Sequence, residues 1–254
     1  MNFDLFSLQN KLAIVTGGGS GIGFSMAQYL AKAGARVVII GRDESKLQKS
    51  QKELTNNGVD IGIYRADVSR EEEIKKCAKD ISSQFGDVDI IVNAAGVNLR
   101  QNPEDITFES WDQTLDINLK TPFFLTREFL PNMIKKKRGK VINIASLQSV
   151  RAFEKGMAYG ASKGGVMQLT RAMAQAYSKD GICVNAIAPG FFETPLTKDV
   201  FKDETRAKAL ASQTAIGRNG NMQDFEGITI FLASQASDYI TGHTIFLDGG
   251  FTAK

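Results

Sequence analysis

A tyrosine and a lysine four residues apart carry the clearest sign of chemistry in this sequence. They are Tyr159 and Lys163, in the stretch YGASKGG. A phenol with an ordinary pKa of about 10 is a poor acid or base at neutral pH. Residues at i and i+4 share one face of a helix, and a nearby positive charge lowers the pKa of a phenol. The spacing therefore indicates a proton-transfer pair, although helical packing alone also produces such pairs.

A glycine-rich turn near the start of the chain points to a bound nucleotide. It reads TGGGSGIG and runs from a strand-like segment into an amphipathic helix. Glycine lets the backbone turn sharply and approach a pyrophosphate, whose charge then lies at the helix N-terminus. Structural turns also use glycine, but this position in the chain favours dinucleotide binding. The predicted contacts of the turn are Gly17, Ser20, Gly21, Ile22 and Gly23.

The end of the second strand-like run bears on which dinucleotide is bound. Folds selective for NAD often place an acid there to bind the ribose 2′-hydroxyl, whereas this sequence reads GRDESKL, with Arg42 after Gly41. A guanidinium suits a 2′-phosphate because it donates paired, charge-assisted hydrogen bonds. Asp43 complicates the pattern, but it is also a candidate N-cap for the next helix. NADP(H) is therefore favoured, and NAD(H) stays possible.

Apolar, β-branched runs alternate with helix-like segments along the chain. The runs cover 12–17, 36–41, 60–67, 89–96, 139–146, 182–190 and 243–250, and the helix-like segments cover 21–33, 43–57, 70–85, 111–137, 159–179 and 222–234. Continuous Val/Ile runs are typical of parallel strands covered on both faces. The alternation predicts a single α/β domain over 1–254, a Rossmann-type doubly wound parallel sheet of about seven strands flanked by helices. A lid-like excursion is expected at about 191–220.

The composition argues against several classes of protein. The 254 residues include 31 basic and 28 acidic side chains, a net charge of +3, which suggests neither a nucleic-acid nor a membrane surface. No apolar run approaches the ~18 residues of a membrane span, and the first residues lack a signal-peptide core, so a cytoplasmic location is expected. Cys77, Cys183 and the single His243 are too scattered for a metal site or a disulfide framework.

Seven short motifs together give the chain a family resemblance. In order they are TGGGSGIG, Asp67 in ADVS, NAAG at 93–96, Asn118 in DINL, Ser146 in INIAS, YGASK at 159–163 and APGFFET at 188–194. On these motifs the sequence resembles the short-chain dehydrogenase/reductase family over essentially its whole length. NAAG departs slightly, since the family more often has two asparagines there, and Asn93 is expected to keep a backbone role.

The resemblance implies an NAD(P)-dependent oxidoreductase and a role for each matched residue. Tyr159 would be the catalytic acid or base, with Lys163 lowering its pKa and holding the nicotinamide ribose. Ser146 would bind the substrate oxygen, where hydride transfer leaves negative charge, and Asn118 would support a water path to Lys163. The other implied cofactor contacts are Asp67 and Val68 at the adenine, Asn93, Ala94 and Gly96 along the cofactor, and Pro189, Gly190, Phe192 and Thr194 at the nicotinamide.

One branch of the family indicates the substrate. The segments APGFFETPLT, GRNG, FLAS and DGGFTAK are similar to enzymes acting on sugar acids, such as gluconate 5-dehydrogenases. Arg100, Gln148 and Phe191 are candidate substrate contacts. Arg100 could pair with a carboxylate or be a solvated loop charge, and Arg151 and Lys155 are weaker candidates for the same role.

Three other functions stay open. A 3-oxoacyl carrier-protein reductase has a similar overall pattern, and a steroid or small-alcohol dehydrogenase could use Phe153, Phe191 and Phe192 as an apolar pocket. A non-catalytic binding or regulatory protein could share the fold, since fold does not prove activity. The resemblance further implies a homotetramer built through the helices at 111–137 and 159–179 and the C-terminal strand, with a small-molecule substrate and no metal.

Overall fold

The strands of the protein are seen in a computed structural model that describes residues 3–56, 58–59 and 61–253. Within these residues the chain forms seven strands. They are β1 (Leu12–Thr16), β2 (Arg36–Gly41), β3 (Ile61–Arg65), β4 (Ile90–Asn93), β5 (Gly139–Ile144), β6 (Ile182–Pro189) and β7 (Thr244–Leu247). Each lies inside a predicted run. The predicted strand start at position 60 and the predicted helix end at position 57 lie outside the described residues.

Helices connect and cover these strands in the described part of the chain. They are α1 (Gly21–Lys32), α2 (Glu44–Asn56), α3 (Glu71–Phe85), α4 (Phe108–Leu115), α5 (Thr121–Lys136), α6 (Met157–Tyr177), α7 (Lys198–Phe201), α8 (Glu204–Ala211) and α9 (Phe225–Ala233). The helix predicted over 111–137 is interrupted by one turn of π-helix, Asp116–Lys120, between α4 and α5. The excursion at 191–220 holds α7 and α8, and its closure over a ligand stays a prediction.

All seven strands belong to one parallel sheet of order β3-β2-β1-β4-β5-β6-β7. The chain builds outward from β1 to β3 and then returns to the other side of β1 as β4. At such a switch point the two connections leave the sheet in opposite directions, and a crevice opens at the carboxyl ends of the strands. The predicted single-domain, Rossmann-type doubly wound sheet is therefore confirmed.

Both faces of the sheet are covered, which explains the continuous apolar runs. Ala13 and Val15 of β1 pack in one core with residues of α1, α2 and α9, whereas Leu12 and Ile14 pack in a second core with residues of α3, α5 and α6. Alternate residues of a strand point to opposite faces, so a strand covered on both faces shows no polar alternation. Polar side chains are left to gather at the carboxyl edge, where the strands end.

Two glycines in helices allow a test of how closely the glycine-rich turn after β1 packs against α1. A Cβ at Gly23 in α1 would lie 2.5 Å from the carbonyl oxygen of Gly17, whereas a Cβ at the exposed Gly227 in α9 would meet nothing within 4 Å. We expect Gly23→Ala to lower the free energy of unfolding by about 1–3 kcal/mol and Gly227→Ala to raise it by about 0.5–1 kcal/mol. Urea denaturation measures both, and effects of the same sign would contradict this packing.

Candidate active site

The turn after β1 lies directly against the loop after β4. Thr16 is buried, and its Oγ1 accepts hydrogen bonds from the backbone N–H groups of Ala94 and Ala95, both at 3.1 Å. A Cβ at Gly17 would lie 2.9 Å from the Cα of Ala95. Gly17 has φ 68° and Gly21 has φ 55°, in the left-handed region that favours glycine. The two loops can therefore approach each other only because glycine stands at these positions.

The start of α1 suits a phosphate group. Ser20 is its N-cap residue, with extended backbone and no side-chain capping bond. The first N–H groups of a helix lack intrahelical partners, and the helix dipole favours an anion there. Ile22 packs against the core, which leaves its backbone as the part available for contact. A turn without Cβ atoms followed by an open helix start fits the pyrophosphate of a dinucleotide.

The predicted adenosine contacts stand at the same edge of the sheet. Arg42 follows β2 and is exposed, while Asp67 and Val68 follow β3. The Asp67 Oδ1 accepts hydrogen bonds from the hydroxyl and the N–H of Ser69, at 2.7 and 3.1 Å. These bonds hold the Asp67 carboxylate in one orientation, and Val68 is buried beside it.

Asp43, the acid next to Arg42, is committed to its own helix. Its Oδ1 accepts hydrogen bonds from the Ser45 hydroxyl at 2.6 Å and the Lys46 N–H at 3.1 Å, as an N-cap residue does. The bonds from Ser45 and Lys46 lower the pKa of Asp43 to about 2. The expectation that Asp43 caps the next helix is confirmed, so this carboxylate already has partners within its own helix.

Asn93 buries its side chain in the core rather than in the crevice. Its Nδ2 donates to Asn143 Oδ1 at 2.8 Å and to Thr126 Oγ1 at 3.2 Å, which links β4 to β5 and α5. Buried amides generally require such partners. The Nδ2 of Asn93 is thus engaged within the fold, in line with the expected backbone role, whereas its Oδ1 is buried without a hydrogen-bond partner among the described residues. Ala94 is partly exposed on the same loop.

Asn118 clamps the loop after β4 onto α6. It lies in the π-helical turn and is 1% exposed. Its Oδ1 accepts from the Val97 N–H at 2.8 Å, and its Nδ2 donates to the Val97 carbonyl at 2.9 Å and to Ser162 Oγ at 3.0 Å. Single π-helical turns are frequent at functional sites. Because both amide hydrogens are used, the side chain is a clamp, and the expected water path to Lys163 stays a prediction.

Ser146 lies near Tyr159, and its hydroxyl acts to lower the pKa of that phenol. Ser146 stands just after β5, and its Oγ accepts a hydrogen bond from the Gln148 N–H at 3.1 Å. Tyr159 lies in the first turn of α6 and is half-buried. Two neighbouring hydroxyl groups can both reach one ligand oxygen, which is the arrangement that stabilises a developing negative charge.

Lys163 lies one helical turn after Tyr159 and is 4% exposed. Its Nζ donates to the Ile144 carbonyl at 2.6 Å and lies 5.7 Å from the centroid of the Tyr159 ring. A Cβ at Gly96 would lie 3.8 Å from the same Nζ, so the loop after β4 reaches this lysine. Burial lowers the pKa of Lys163 to about 8, because removal from water disfavours the charged form.

The pKa of Tyr159 moves in the direction opposite to the expectation. Burial raises it above its ordinary value, while the nearby Ser146 hydroxyl and the positive charge of Arg100 oppose the rise. The expectation that Lys163 lowers this pKa is therefore wrong for this chain. The physical reason is that desolvation outweighs the nearby charges, and the Lys163 ammonium is directed at the Ile144 carbonyl. At neutral pH the Tyr159 phenol carries its proton.

The loop after β6 reaches the glycine turn. Pro189 ends β6, and the Gly190 N–H donates to the Leu247 carbonyl at 2.8 Å. A Cβ at Gly21 would lie 3.4 Å from the Thr194 Cβ. Thr194 therefore contacts the turn that follows β1, and the loops after β1, β4 and β6 meet around one crevice.

Phe192 does not place its side chain at the expected nicotinamide position. It is 3% exposed, and its ring packs on Phe225 of α9 with 4.8 Å between centroids. The core beneath the strand ends takes up an apolar ring at this position. Only the main chain of Phe192 can border a cofactor.

Arg100 lies beside Tyr159 and is half-buried. Arg100, Lys155 and Tyr159 line one small cleft. Arg100 has φ 51°, a strained conformation for a residue with a Cβ, and such residues cluster at functional sites. Its Nη2 donates to the Leu196 carbonyl at 3.0 Å, which ties the loop after β4 to the 191–220 excursion.

Gln148 and Phe191 border the segment that leads into α6. Gln148 Oε1 is buried and has no hydrogen-bond partner among the described residues, which is uncommon for a buried polar atom. Phe191 packs edge to face between Phe153 and Phe251, at centroid distances of 6.1 and 5.5 Å. A cavity of about 290 Å³ behind this loop is lined by Phe191 but by none of the predicted catalytic residues.

Two serines that the sequence did not single out support the site. The Ser162 hydroxyl donates to the Tyr159 carbonyl at 2.7 Å, and the Ser149 hydroxyl donates to the Lys163 carbonyl at 2.7 Å. Their nearness to Ser146 and Tyr159 in sequence was the only signal. Small hydroxyl residues are too common for such a signal to decide.

Comparison with known proteins identifies the family. The family model described as enoyl-(acyl carrier protein) reductase matches residues 17–252. The chain belongs to the short-chain dehydrogenase/reductase family. The resemblance drawn from the motifs is therefore confirmed, and the protein is an oxidoreductase of this family.

Relatives within the short-chain dehydrogenase/reductase family match almost the full length of the chain. It is 39% identical to the 2-dehydro-3-deoxy-D-gluconate 5-dehydrogenase of Bacillus subtilis, over 99% of this chain and 98% of that protein. It is 35% identical to the 5-keto-D-gluconate 5-reductase of Escherichia coli, over 97% of each. A crystal structure of a gluconate 5-dehydrogenase from Burkholderia cenocepacia in complex with NADP and tartrate matches with TM-score 0.94 and 35% identity, over 99% of this chain and 98% of that one.

The described residues of this short-chain dehydrogenase/reductase offer neither a metal-binding cluster nor a membrane-spanning helix. Within the described residues, no group of three or more His, Cys, Asp or Glu side chains is arranged to hold a metal ion. In that same part of the chain, no helix combines the length and the apolar character needed to cross a membrane.

The burial of Lys163 predicts a pH-dependent stability for this short-chain dehydrogenase/reductase. Its pKa is about 8 in the folded chain and about 10.4 in an unfolded one. Between these values the unfolded chain binds more protons, so stability rises with pH, while below them a penalty of about 3 kcal/mol is constant. We expect the stability of Lys163→Met relative to the parent to fall by up to this amount between pH 8 and 10.5.

Urea unfolding at a series of pH values measures this difference. Lys79→Met, which removes an exposed lysine of α3, controls for the loss of one positive charge. A difference between Lys163→Met and the parent that does not change with pH would contradict the lowered pKa.

Proposed function

We propose that this protein is an NADP(H)-preferring dehydrogenase of sugar acids. It would interconvert a secondary alcohol and a ketone, such as those at C5 of gluconate and 5-ketogluconate. The observation that carries the reaction type is the nearness of Ser146 and Tyr159 to each other, beside a buried Lys163 at the carboxyl edge of the sheet. The substrate class is supported by the relatives from Bacillus subtilis and Escherichia coli, whose names specify ketogluconate and gluconate chemistry.

The cofactor would lie along the carboxyl edge and, when bound, would supply or accept the hydride. The preference for NADP(H) rests on the exposed Arg42, on the absence of a free acid at the end of β2, and on the NADP held by the related Burkholderia enzyme. The residues that would hold it are Gly17, Ser20, Gly21, Ile22, Gly23, Arg42, Asp67, Val68, Ala94, Gly96, Tyr159, Lys163, Pro189, Gly190 and Thr194, with the main chains of Asn93 and Phe192.

Side chains of the protein would transfer the proton that accompanies the hydride. In reduction, Tyr159 would donate its phenolic proton to the substrate oxygen while Ser146 donates a hydrogen bond to the same oxygen. Because burial raises the pKa of Tyr159, the proton is present at neutral pH. In oxidation Tyr159 must first lose that proton, so the oxidative rate should increase with pH.

Arg100 is the side chain best placed to receive the substrate carboxylate. Only one bond of its guanidinium is taken by the Leu196 carbonyl, and an arginine has five N–H donors. Lys155 lines the same cleft and adds positive charge. The related Burkholderia enzyme was crystallised with tartrate, a hydroxy acid, which supports an acid-binding pocket next to Tyr159 in this chain.

The other candidate functions are less well supported. The family model carries the name of a carrier-protein reductase, but the full-length relatives described above act on gluconate derivatives by name. A non-catalytic role would leave the nearness of Ser146 to Tyr159 and the burial of Lys163 without a purpose. A steroid or small-alcohol substrate would not use the charge of Arg100 beside Tyr159, and the ring of Phe192 lies in the core.

The reaction is tested by removing one hydroxyl. We expect Tyr159→Phe to fold, to bind NADPH as the parent does, and to lose about 10²–10⁴-fold in kcat, because no group is left to transfer the proton. The assay follows nicotinamide absorbance with D-gluconate and NADP or NAD, and with 5-ketogluconate and NADPH or NADH. Tyr177→Phe, at the other end of α6, should keep full activity. Equal activity of Tyr159→Phe and Tyr177→Phe would remove the assignment.

The proposal that Arg100 binds the substrate carboxylate is tested by comparing the effects of its substitution on KM and on kcat. We expect Arg100→Gln to raise KM for the sugar acid about tenfold or more, because a charge-assisted pair is lost, and to change kcat less. Arg171→Gln removes an exposed positive charge from α6 and should leave KM unchanged. An unchanged KM in Arg100→Gln would assign carboxylate binding to another cation.

We also propose a homotetramer built through α5, α6 and β7. Among the described strands β7 lies at the edge of the sheet and pairs with β6 alone, so its other edge presents backbone groups that a second chain can cover. Multi-angle light scattering should give four times the chain mass of 27.7 kDa. A single species of one chain mass at working concentration would refute the proposal.

A further inference from the structure

We infer that Arg65 is a second cation of the site that receives the 2′-phosphate of the dinucleotide. This inference rests on the NADP(H) preference proposed above. It concerns a residue just before the ADVS motif that the sequence analysis did not assign to the site. Arg65 is the last residue of β3 and is exposed.

The sheet register places Arg65 next to Arg42. Gly41 of β2 and Arg65 of β3 are paired across the parallel strands, and Arg42 directly follows Gly41. Paired strands are about 4.8 Å apart and consecutive Cα atoms 3.8 Å apart, so the Cα atoms of the two arginines lie within about 9 Å. Two long side chains rooted this closely can converge on one anion.

The alternation of β3 directs Arg65 toward the start of α2. Ile61 and Ile63 of the same strand pack in the core that contains Leu47 of α2. Residues at i, i+2 and i+4 of a strand share a face, so Arg65 continues this row at its carboxyl end. α2 begins at Glu44, two residues after Arg42. Arg65 therefore lies on the face of the sheet that α2 covers, and the backbone of Arg42 leads into the first turn of that helix.

The acids of this region are already engaged by other groups. Asp43 accepts bonds from Ser45 and Lys46, Glu44 accepts one from Gln48, Asp67 accepts two from Ser69, and Glu73 accepts one from the Asp67 N–H and pairs with Arg70. Within the described residues, the guanidinium groups of Arg42 and Arg65 form no hydrogen bond and no ion pair. Two uncompensated positive charges at the adenosine end of the crevice favour an anionic ligand.

A phosphate is the anion that fits this pair. A dianionic phosphate offers several acceptor oxygens, and guanidinium groups bind it through paired, charge-assisted hydrogen bonds. The ribose 2′-phosphate is the group that distinguishes NADP from NAD and is expected at the end of β2. A hydroxyl at the same place would neutralise neither charge, so Arg65 would add to the discrimination made by Arg42.

The test uses binding of adenosine fragments and needs no catalysis. Isothermal titration calorimetry gives Kd for adenosine 2′,5′-bisphosphate and for adenosine 5′-monophosphate. We expect Arg65→Gln to raise Kd for the bisphosphate about tenfold and to leave Kd for the monophosphate within about twofold. Arg65→Lys should lie between Arg65→Gln and the parent. Arg36→Gln removes an exposed charge at the opposite end of β2 and should change neither Kd.

The outcomes separate the inference from the proposed cofactor preference. If the parent binds the bisphosphate no more tightly than the monophosphate, both the NADP(H) preference and the role of Arg65 are wrong. If the parent prefers the bisphosphate, and Arg42→Gln removes that preference while Arg65→Gln does not, the preference stands and the inference is overturned. An equal loss for both ligands in Arg65→Gln would also overturn it, because the effect would not depend on the 2′-phosphate.

Discussion

The burial of the Lys163 ammonium is the constraint around which the site is arranged. A charged group removed from water costs free energy unless it is compensated, and here the visible compensation is one hydrogen bond to the Ile144 carbonyl at the end of β5. The fold itself does not need this charge, because the apolar clusters on both sheet faces form without it. The buried ammonium therefore belongs to the functional site and not to the stability of the fold, and groups with perturbed pKa values are often found at functional sites.

Neighbouring elements hold Lys163 and Tyr159 in place through short polar contacts. Ser149 fixes the Lys163 carbonyl, and Ser162 connects the Tyr159 carbonyl to Asn118, which in turn clamps the backbone of Val97. These contacts join α6 to the loops after β4 and β5. A site positioned by elements of a packed core keeps its geometry better than one carried by free loops, and small shifts at such a site cost catalysis heavily.

The close approach of the loops after β1 and β4 sets the depth of the crevice. Thr16 bonds to two backbone N–H groups of the β4 loop, and glycine at position 17 avoids a collision with Ala95. The switch in strand order creates the crevice, and Thr16 and Gly17 hold the two loops together on one side of it. The same edge continues past β2 to β3, which is why a residue as distant in sequence as Arg65 can belong to the adenosine end.

The sequence predicted the strands, their parallel arrangement and the segments that form the crevice, because apolar runs and glycine spacing are local signals. It did not predict the π-helical turn at Asp116–Lys120, which depends on packing around Asn118. It also could not show that the ring of Phe192 and the amide of Asn93 are buried in the core. Both residues lie at or just after the end of a strand, where a side chain can point either into the core or into the crevice. The predicted shift of the Tyr159 pKa was wrong in direction. The spacing in the sequence reveals a neighbouring positive charge, but it does not reveal that the phenol is buried away from water.

Burial acts in the same sense on both members of the Tyr159 and Lys163 pair. It raises the pKa of the phenol and lowers that of the ammonium to about 8, so both groups favour their neutral forms. Below pH 8 the phenol carries a proton and the lysine a positive charge, which is the combination that donates to a carbonyl oxygen. Removing the phenolic proton requires a pH at which Lys163 also loses its charge. At neutral pH the free chain therefore holds a protonated phenol next to a charged lysine, and under the proposed function this phenol would be ready to donate its proton.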